Sequence, residues 1–526
     1  MNVKYILLAA GALMALPMAA QETYQDTKLV ENELNGTARY VGMGGAMEAL
    51  GADISTMQTN PAGIGLFRKS QFTLSGGFVS QSDVHNPLRY QNAQIKIDGD
   101  ATKASFDQVG FVWAMRNGHS SFLNFGFNYH KSRNFDQILT TANLLNKASL
   151  NKLSALKYNE GLSENGSMAW NGVDDAYAQL IKPQDVSGKS LMDYYNGSMF
   201  LFGQCQYGYI GEYDFNISGN INDRIFLGAT FGIHDVNYRS NKYYTEDLEK
   251  VNNEDLQSNN WESLRIDGTG YDIKLGAIFR PIADSPFRIG LYVNTPVFYD
   301  LTQRSSLEVN LTQPQSNNGQ SSTNGGAYDF KVYTPWKFGV SLGHTVGDYL
   351  ALGATYEYSD YKHIDNRINE GSQYDPWTDS FYDDSSSDDE MNQDTKLNLK
   401  GVHTVKLGVE VKPVPAFAIR AGYNYVSPQF NKGAFRDGSI QSPGVGYATS
   451  ADYTNWKATH RATLGIGYTI SNFFLDAAYQ YSATSGDFYP FMPYENKNNA
   501  EYNNVADATK VNFHRHQVLF TLGYKF

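Results

Sequence analysis

The stretch Val405-Lys406-Leu407-Gly408-Val409-Glu410-Val411-Lys412 puts Val405, Leu407, Val409 and Val411 on one parity and Lys406, Gly408, Glu410 and Lys412 on the other. Strand side chains point alternately to opposite faces, so one face is apolar and the other carries charge and glycine. A packed protein core accepts such a polar face poorly. A barrel in lipid accepts both faces, the apolar one outward and the charged one toward a wet lumen. The pattern recurs on either side. Phe417, Ile419, Ala421, Tyr423 and Tyr425 alternate with Ala418, Arg420, Gly422 and Asn424, and Leu350, Leu352, Ala354, Tyr356 and Tyr358 with Ala351, Gly353, Thr355 and Glu357. At the end of the chain, Val518, Phe520, Leu522, Tyr524 and Phe526 alternate with Gln517, Leu519, Thr521, Gly523 and Lys525.

About fourteen such segments can be placed, most at or above the ~9–11 residues that a tilted strand needs to cross a bilayer. They lie near 70–80, 106–116, 121–131, 205–220, 224–238, 264–280, 287–300, 329–344, 349–365, 400–412, 416–427, 456–470, 473–483 and 511–526. The connections alternate in length. Short turns fall near Asn117–Ser120, Ile221–Asp223, Pro281–Pro286, Thr345–Asp348, Pro413–Pro415 and Ser471–Asn472, and long links lie between them. Short turns on one side and long loops on the other are the pattern of an outer-membrane barrel. The sequence therefore predicts an all-β, transmembrane antiparallel barrel of about fourteen strands over residues 70–526.

Composition agrees. The 526 residues include 37 Tyr, 30 Phe and 48 Gly, with mean hydropathy −0.45 and net charge −12. An acidic chain lacks the basic footprint that nucleic acid needs. At the start, Lys4, the apolar run Ile6–Leu16, Pro17 and Ala19-Ala20 have the layout of a secretory signal peptide over residues 1–20. Cys205, the only cysteine, has no intramolecular partner and reads as a small apolar residue in a strand.

Residues 21–69 do not alternate. They hold Gly42, Gly44 and Gly45, then Asn60-Pro61-Ala62-Gly63. A dinucleotide fingerprint would need a preceding strand and a βαβ unit, neither of which is evident. Short helices and tight turns filling the lumen as a plug are the better reading, because a fourteen-strand lumen is too wide for side chains alone to close.

With Gly36-Thr37-Ala38-Arg39 ahead of them, these glycines and the Asn-Pro-Ala-Gly motif resemble the N-terminal hatch of the FadL/TodX outer-membrane transporters. Tyr292-Val293-Asn294-Thr295-Pro296-Val297 and Thr334-Pro335-Trp336-Lys337-Phe338-Gly339 strengthen the resemblance. Asparagine-rich loops and the terminal Tyr-Lys-Phe are similar to Bacteroidetes-like members. The resemblance implies transport of long-chain fatty acids or aromatic hydrocarbons by capture on extracellular loops, passage past the hatch and lateral release beside a kinked third strand. Some FadL-like barrels instead serve type IX secretion and bind protein partners, which is the alternative.

Candidates follow for each step. Ile138, Ala142, Leu145 and Ser149, continued by Leu153 and Leu156, make an apolar stripe at helical spacing in loop 132–204, for ligand capture or for packing on the rim. Met43, Met47, Leu50, Ile54 and Met57 are candidates to line an inner pocket, since methionine adapts to varied alkyl shapes. Gly126, midway along the third segment, is the candidate for the lateral gate. His514 and His516 share a face without a third ligand, and the run Asp375–Asp394 reads as a solvated acidic loop. Glu212, Asp214 and Glu410 are lumenal carboxylates with no nucleophile–histidine pattern beside them, so catalytic residues, metal and cofactor are expected to be none. The expected partners are hydrophobic small molecules, outer-membrane lipid and lipopolysaccharide, and the barrel-assembly machinery, with the chain a monomer.

Overall fold

The computed structural model describes residues 22–526 apart from Asn32, His119, 160–168, Ser187, Asn252, Ala283, 313–319 and 497–498. The segment expected to be a signal peptide lies outside the described residues. Fourteen antiparallel strands close into a barrel. They are β1 (Gln71–Ser82), β2 (Thr102–Arg116), β3 (Phe122–Asn134), β4 (Gly197–Ile221), β5 (Ile225–Val251), β6 (Glu254–Phe279), β7 (Arg288–Asn294, resumed at Phe298–Thr312), β8 (Gln320–Tyr333, resumed at Lys337–Val346), β9 (Leu350–Asp360), β10 (Gly401–Val414), β11 (Phe417–Val426), β12 (Tyr453–Ile470), β13 (Phe473–Tyr489) and β14 (Thr509–Lys525). β1 pairs with β2 on one side and with β14 on the other, from Gln71–Lys525 to Ser82–His514, which closes the ring. The breaks in β7 and β8 fall at Thr295-Pro296-Val297 and Thr334-Pro335-Trp336, where proline removes a ladder donor.

Both barrel termini and the short turns share one end. The long links share the other, and several of them are built structure. β4, β5 and β6 run on beyond the barrel as a tall sheet, with Asp247 of β5 still opposite Gln257 of β6. The alternation in the sequence places no strand between 238 and 264. There, outside lipid, neither face needs to be apolar, so the alternation fades while the ladder continues. Loop helices α3 (Leu150–Asn159), α4 (Gly172–Leu180) and α5 (Asp389–Asn398) cover this end. The helical stripe is corrected at its start: Gln137–Leu144, with Ile138 and Ala142, is a strand paired with β4, and the helix begins only at Leu150.

The faces follow the alternation. Leu352, Leu407, Phe520 and Leu522 are exposed, whereas Lys406, Glu410, Glu357 and Thr521 are buried inside the barrel. Phe72, Phe111, Phe215, Ile273, Leu291, Ile419 and Ile466 extend the exposed apolar surface around the wall. A belt this large needs an apolar solvent, and closed barrels are the strand structures that lipid tolerates. The chain is thus built as a membrane-spanning β-barrel, apolar outside and polar within. Three matched pairs mark the belt's outer edge: Tyr356–His403, Tyr423–His460 and Tyr479–His516, each with phenol oxygen and imidazole Nδ1 2.7 Å apart. His516 thus belongs to a girdle that repeats every second strand, and His514 meets Asp83 at 2.6 Å.

Leu407→Arg puts a charge into lipid and is expected to cost about 2–4 kcal/mol. The heat-modifiable folded band should shrink on electrophoresis, while Leu407→Ala keeps most of it. Normal assembly of Leu407→Arg would place β10 in the opposite register.

Candidate functional site

Residues 22–69 lie within the ring of strands and have two parts. The first is an arm: α1 (Thr23–Val30) and the described residues that follow it to Asn35. Its beginning reaches the long-loop end, where Glu22 pairs with Arg436 and Thr23 Oγ1 donates to Asp394 Oδ2 at 2.8 Å. Lys28 Nζ donates to the Tyr238 hydroxyl at 3.0 Å, and the Tyr24 ring stacks on Phe430 at 4.8 Å. The second part is the hatch, made of α2 (Ala38–Gly42) and two 3-10 turns, Ile54–Gln58 and Pro61–Leu66.

Glycine on both surfaces lets the hatch backbone touch the wall. Gly343, Gly353, Gly408 and Gly422 lie opposite one another across β8, β9, β10 and β11. A Cβ on Gly353 would stand 1.9 Å from the Ala46 carbonyl oxygen, and one on Gly408 2.3 Å from that of Met43. Gly44, at φ +63°, abuts the Tyr423 backbone, and Gly42 the Cα of Gly465. Farther round, Gly276 and Gly228 receive Asn60 and Pro61. Asn60 Oδ1 accepts from the Ala62 amide while its Nδ2 donates to the Glu48 carbonyl, both at 3.2 Å, and Ser218 Oγ donates to the Pro61 carbonyl at 2.8 Å. Gly63 is held against Thr56, where no Cβ fits.

Charges lock the same contact. Glu48, fully buried, accepts from Lys406 Nζ (2.8 Å), Thr355 Oγ1 (2.6 Å) and the Tyr40 hydroxyl (3.2 Å). Arg39 donates to both oxygens of Glu410, which also takes Arg420 at 2.6 Å. These ion pairs and hydrogen bonds hold the segment to β9, β10 and β11 of the wall.

Two cavities among the described residues flank the arm. The upper one, about 160 Å³, has an apolar wall of Phe135, Leu264, Val402, Val426 and Phe513. Arg133, Arg461 and Arg515 line the same space, as do the arm's Glu31 and Glu33, and the Arg133 guanidinium lies over the Phe135 ring. Arg133 donates to Glu31 at 2.8 Å, and Arg515 pairs with Glu33. Among the described residues, Nε of Arg133 and of Arg515 makes no hydrogen bond. The lower cavity, about 120 Å³, is bounded by Leu29, Val30, Leu34 and Tyr40 on the arm and hatch side and by Glu212, His234 and Lys274 on the wall. A cavity of ~150 Å³ admits one benzene ring, so neither space takes an extended alkyl chain while the arm is seated.

The wall is irregular beside the arm. The β2–β3 ladder ends at Gln108–His130, and the β3–β4 register shifts between Lys131 and Arg133. Beyond that point the Lys103–Asp136 ion pair (2.7 Å) and the Gln81 side chain, bonded twice to the Ile138 backbone, span the break. Asn35 closes it from inside, donating to Asp107 Oδ1 and the Lys131 carbonyl, each at 3.0 Å. Gly126 stands elsewhere, in regular register with Val112 and Asn216, and serves as the seat of Met57.

The other sequence candidates are placed as follows. Met43, Met47 and Leu50 pack with Leu34 and Tyr40, while Ile54 and Met57 pack with Ile64 and Phe67; none of the five borders either cavity. Leu145 and Leu153 join the apolar cluster beneath the loop helices, and Ile138 packs on Ile97 and Cys205. Sequence reasoning passed over the arginine triad and Glu31 and Glu33, which come together only through strand register. The acidic run is part hairpin and part α5, and Asp394 is buried against the arm.

Burial pushes the Asp394 carboxyl up to about 7, helped by nearby Asp437 and Glu22 and opposed by hydrogen bonds from Thr23 and Asn398. A folded-state value above the ~3.9 of a free aspartate favours the protonated, docked form. Its contribution to arm docking is therefore complete in acid and is lost as pH rises through about 7. Protection of the arm from added protease should fall across that interval, and Asp394→Asn should remove the transition.

No family model and no curated protein matches the chain. Among solved structures it is similar to a Pseudomonas aeruginosa FadL homologue, at 13% identity over 94% of this chain and 99% of that one, with a TM-score of 0.49. The Ralstonia pickettii toluene transporter TbuX gives 13% identity, 94% and 99% coverage and a TM-score of 0.49. The Pseudomonas putida toluene transporter TodX gives 12%, 94% and 100%, and 0.47.

Proposed function

We propose that this barrel carries hydrophobic small molecules, long-chain fatty acids or aromatic hydrocarbons, across the outer membrane in the manner of FadL/TodX-type transporters. The observation that carries the reading is the pairing of the arm's carboxylates with Arg133 and Arg515 in a cavity that Arg461 and several apolar side chains also line. Glu31 and Glu33 take the place that the carboxylate of an amphipathic acid would occupy, with its chain along Phe135, Leu264 and Val402. Burying each methylene yields about 0.8 kcal/mol, so a long chain supplies the drive for displacing the arm.

The steps follow from the contacts. The apolar cluster containing Leu145 and Leu153 offers a first resting place beneath the loops. Displacing the arm merges the two cavities and withdraws Asn35 from the break between β2 and β3. Cargo then leaves sideways into the membrane, and no bond is made or broken.

The test is uptake by a deletion strain complemented at matched surface expression, using labelled oleate and labelled toluene. A charge-assisted hydrogen bond is worth about 1.5–3 kcal/mol, so Glu31→Gln with Glu33→Gln should raise oleate affinity by roughly ten-fold or more. Toluene, having no carboxylate, should show only the faster entry of a loosened arm. Unchanged uptake of both in the deletion strain overturns the proposal. If a surface protein is lost at the same time, the secretion reading takes its place.

A further inference from the structure

The lower cavity ends on a cluster that neither hatch nor arm uses. His130, Glu212 and His234 lie directly opposite one another across β3, β4 and β5. Asp214, Asp272 and Lys274 complete the group, and all six residues are at most 5% exposed. Lys274 Nζ reaches Glu212 Oε1 (2.5 Å), Asp272 Oδ1 (2.9 Å) and Asp214 Oδ1 (3.1 Å). Three carboxylates and two imidazoles are packed around a single ammonium. A buried acidic cluster of this kind calls for compensation by a cation or by hydrogen bonds.

The free donors point to what supplies it. Glu212 Oε2 stands 3.4 Å from His130 Nε2 and 3.8 Å from His234 Nδ1. Among the described residues these two nitrogens make no hydrogen bond, and neither does Asp214 Oδ2. Donors around a tetrahedral ion with bonds of about 2.1 Å sit some 3.4 Å apart, so each imidazole is spaced from the carboxylate like a co-ligand. His234 is already oriented, its Nε2 3.2 Å from Asp272 Oδ1, while His130 Nδ1 lies 3.4 Å from the Asn128 side-chain nitrogen. A histidine that gives its far N–H to a carboxylate presents its near nitrogen as a lone pair, the usual second-shell arrangement of a metal ligand. Two overlapping donor sets, His130–Glu212–Asp214 and Glu212–His234–Asp272, each have their ligand atoms within 4.8 Å of one another.

We propose that this cluster binds one divalent transition-metal ion of the zinc class, with Glu212 as the ligand common to both donor sets and either His130 with Asp214 or His234 with Asp272 completing the set. Imidazole with carboxylate suits such ions better than the all-oxygen sets of calcium or magnesium. The ion would tie β4 to a neighbouring strand below the register shift of β3, bracing the wall there.

The experiment uses the whole barrel without a histidine tag, stripped with chelator and titrated with Co2+ and then Zn2+ in detergent. One equivalent of Co2+ should bind with visible d–d absorption, and Zn2+ should displace it. His130→Gln with His234→Gln should weaken binding at least ten-fold while keeping the heat-modifiable band. Lys274→Gln, which removes a competing positive charge, should tighten it. No saturable binding by the wild type overturns the proposal, as does binding that the double histidine variant leaves unchanged. An ordinary site elsewhere on the surface would be indifferent to Lys274. Transport need not change in any of these variants, so failure here is separable from failure of the transport reading.

Discussion

Gly408→Leu is expected to give a barrel that inserts but cannot seat its hatch. A Cβ at this position already falls 2.3 Å from the Met43 carbonyl oxygen, and the rest of a leucine would project into the hatch backbone. Overpacking a closed contact costs about 1–3 kcal/mol, and here neither surface can yield. The wall is held by ladders to β9 and β11, and the hatch is held by Glu48 and Arg39 on either side. The easier response is release of the hatch as a unit. Protease added from the short-turn side should cut within residues 36–69, and small polar antibiotics should enter cells faster. Gly446→Ala, where a Cβ meets nothing within 4 Å, is the matched control and should behave as wild type. If Gly408→Leu protects its hatch as well as the control does, the docked position described above is wrong.

This same glycine row shows where sequence reading stops. Each glycine is visible on the polar parity of its strand, as Gly408 is between Lys406 and Glu410. What makes them a surface is register, which brings Gly343, Gly353, Gly408 and Gly422 side by side. Register depends on turn geometry and on the partner strand, and neither is written in one segment. The strands themselves were legible because lipid imposes an apolar residue at every second position. Above the membrane that pressure ends, and the hairpin of β5 and β6 continues with polar residues on both faces.

The misread stripe has a different cause. Ile138 and Ala142 are four apart, a spacing that shares a face in a helix and equally in a strand. Tertiary pairing with β4 decided in favour of the strand. The site was legible only in outline. The hatch motif could be found because its glycines and Asn-Pro are clustered within a few turns of chain. The arginines facing the arm come from β3, β12 and β14, and His130 and His234 are separated by the whole of the largest loop. Their chemistry exists only once the ring has closed.

Glu48→Ala should have the larger energetic effect, because it strands a charge rather than crowding a contact. Glu48 is fully buried and takes hydrogen bonds from Lys406, Thr355 and Tyr40. Without it, Lys406 keeps only the more distant Glu357, 3.8 Å away. Breaking one side of a buried ion pair typically costs about 3–5 kcal/mol, since the remaining charge has neither water nor partner. The barrel ladder does not depend on this pair, so the loss falls on hatch docking. The expected result is a folded, heat-modifiable barrel with a protease-sensitive hatch. Adding Lys406→Met to Glu48→Ala removes the stranded charge and should recover much of the loss, because apolar replacement of both partners is often close to neutral. A double variant no better protected than Glu48→Ala alone would show that the contact is held by the glycine surface and not by the ion pair.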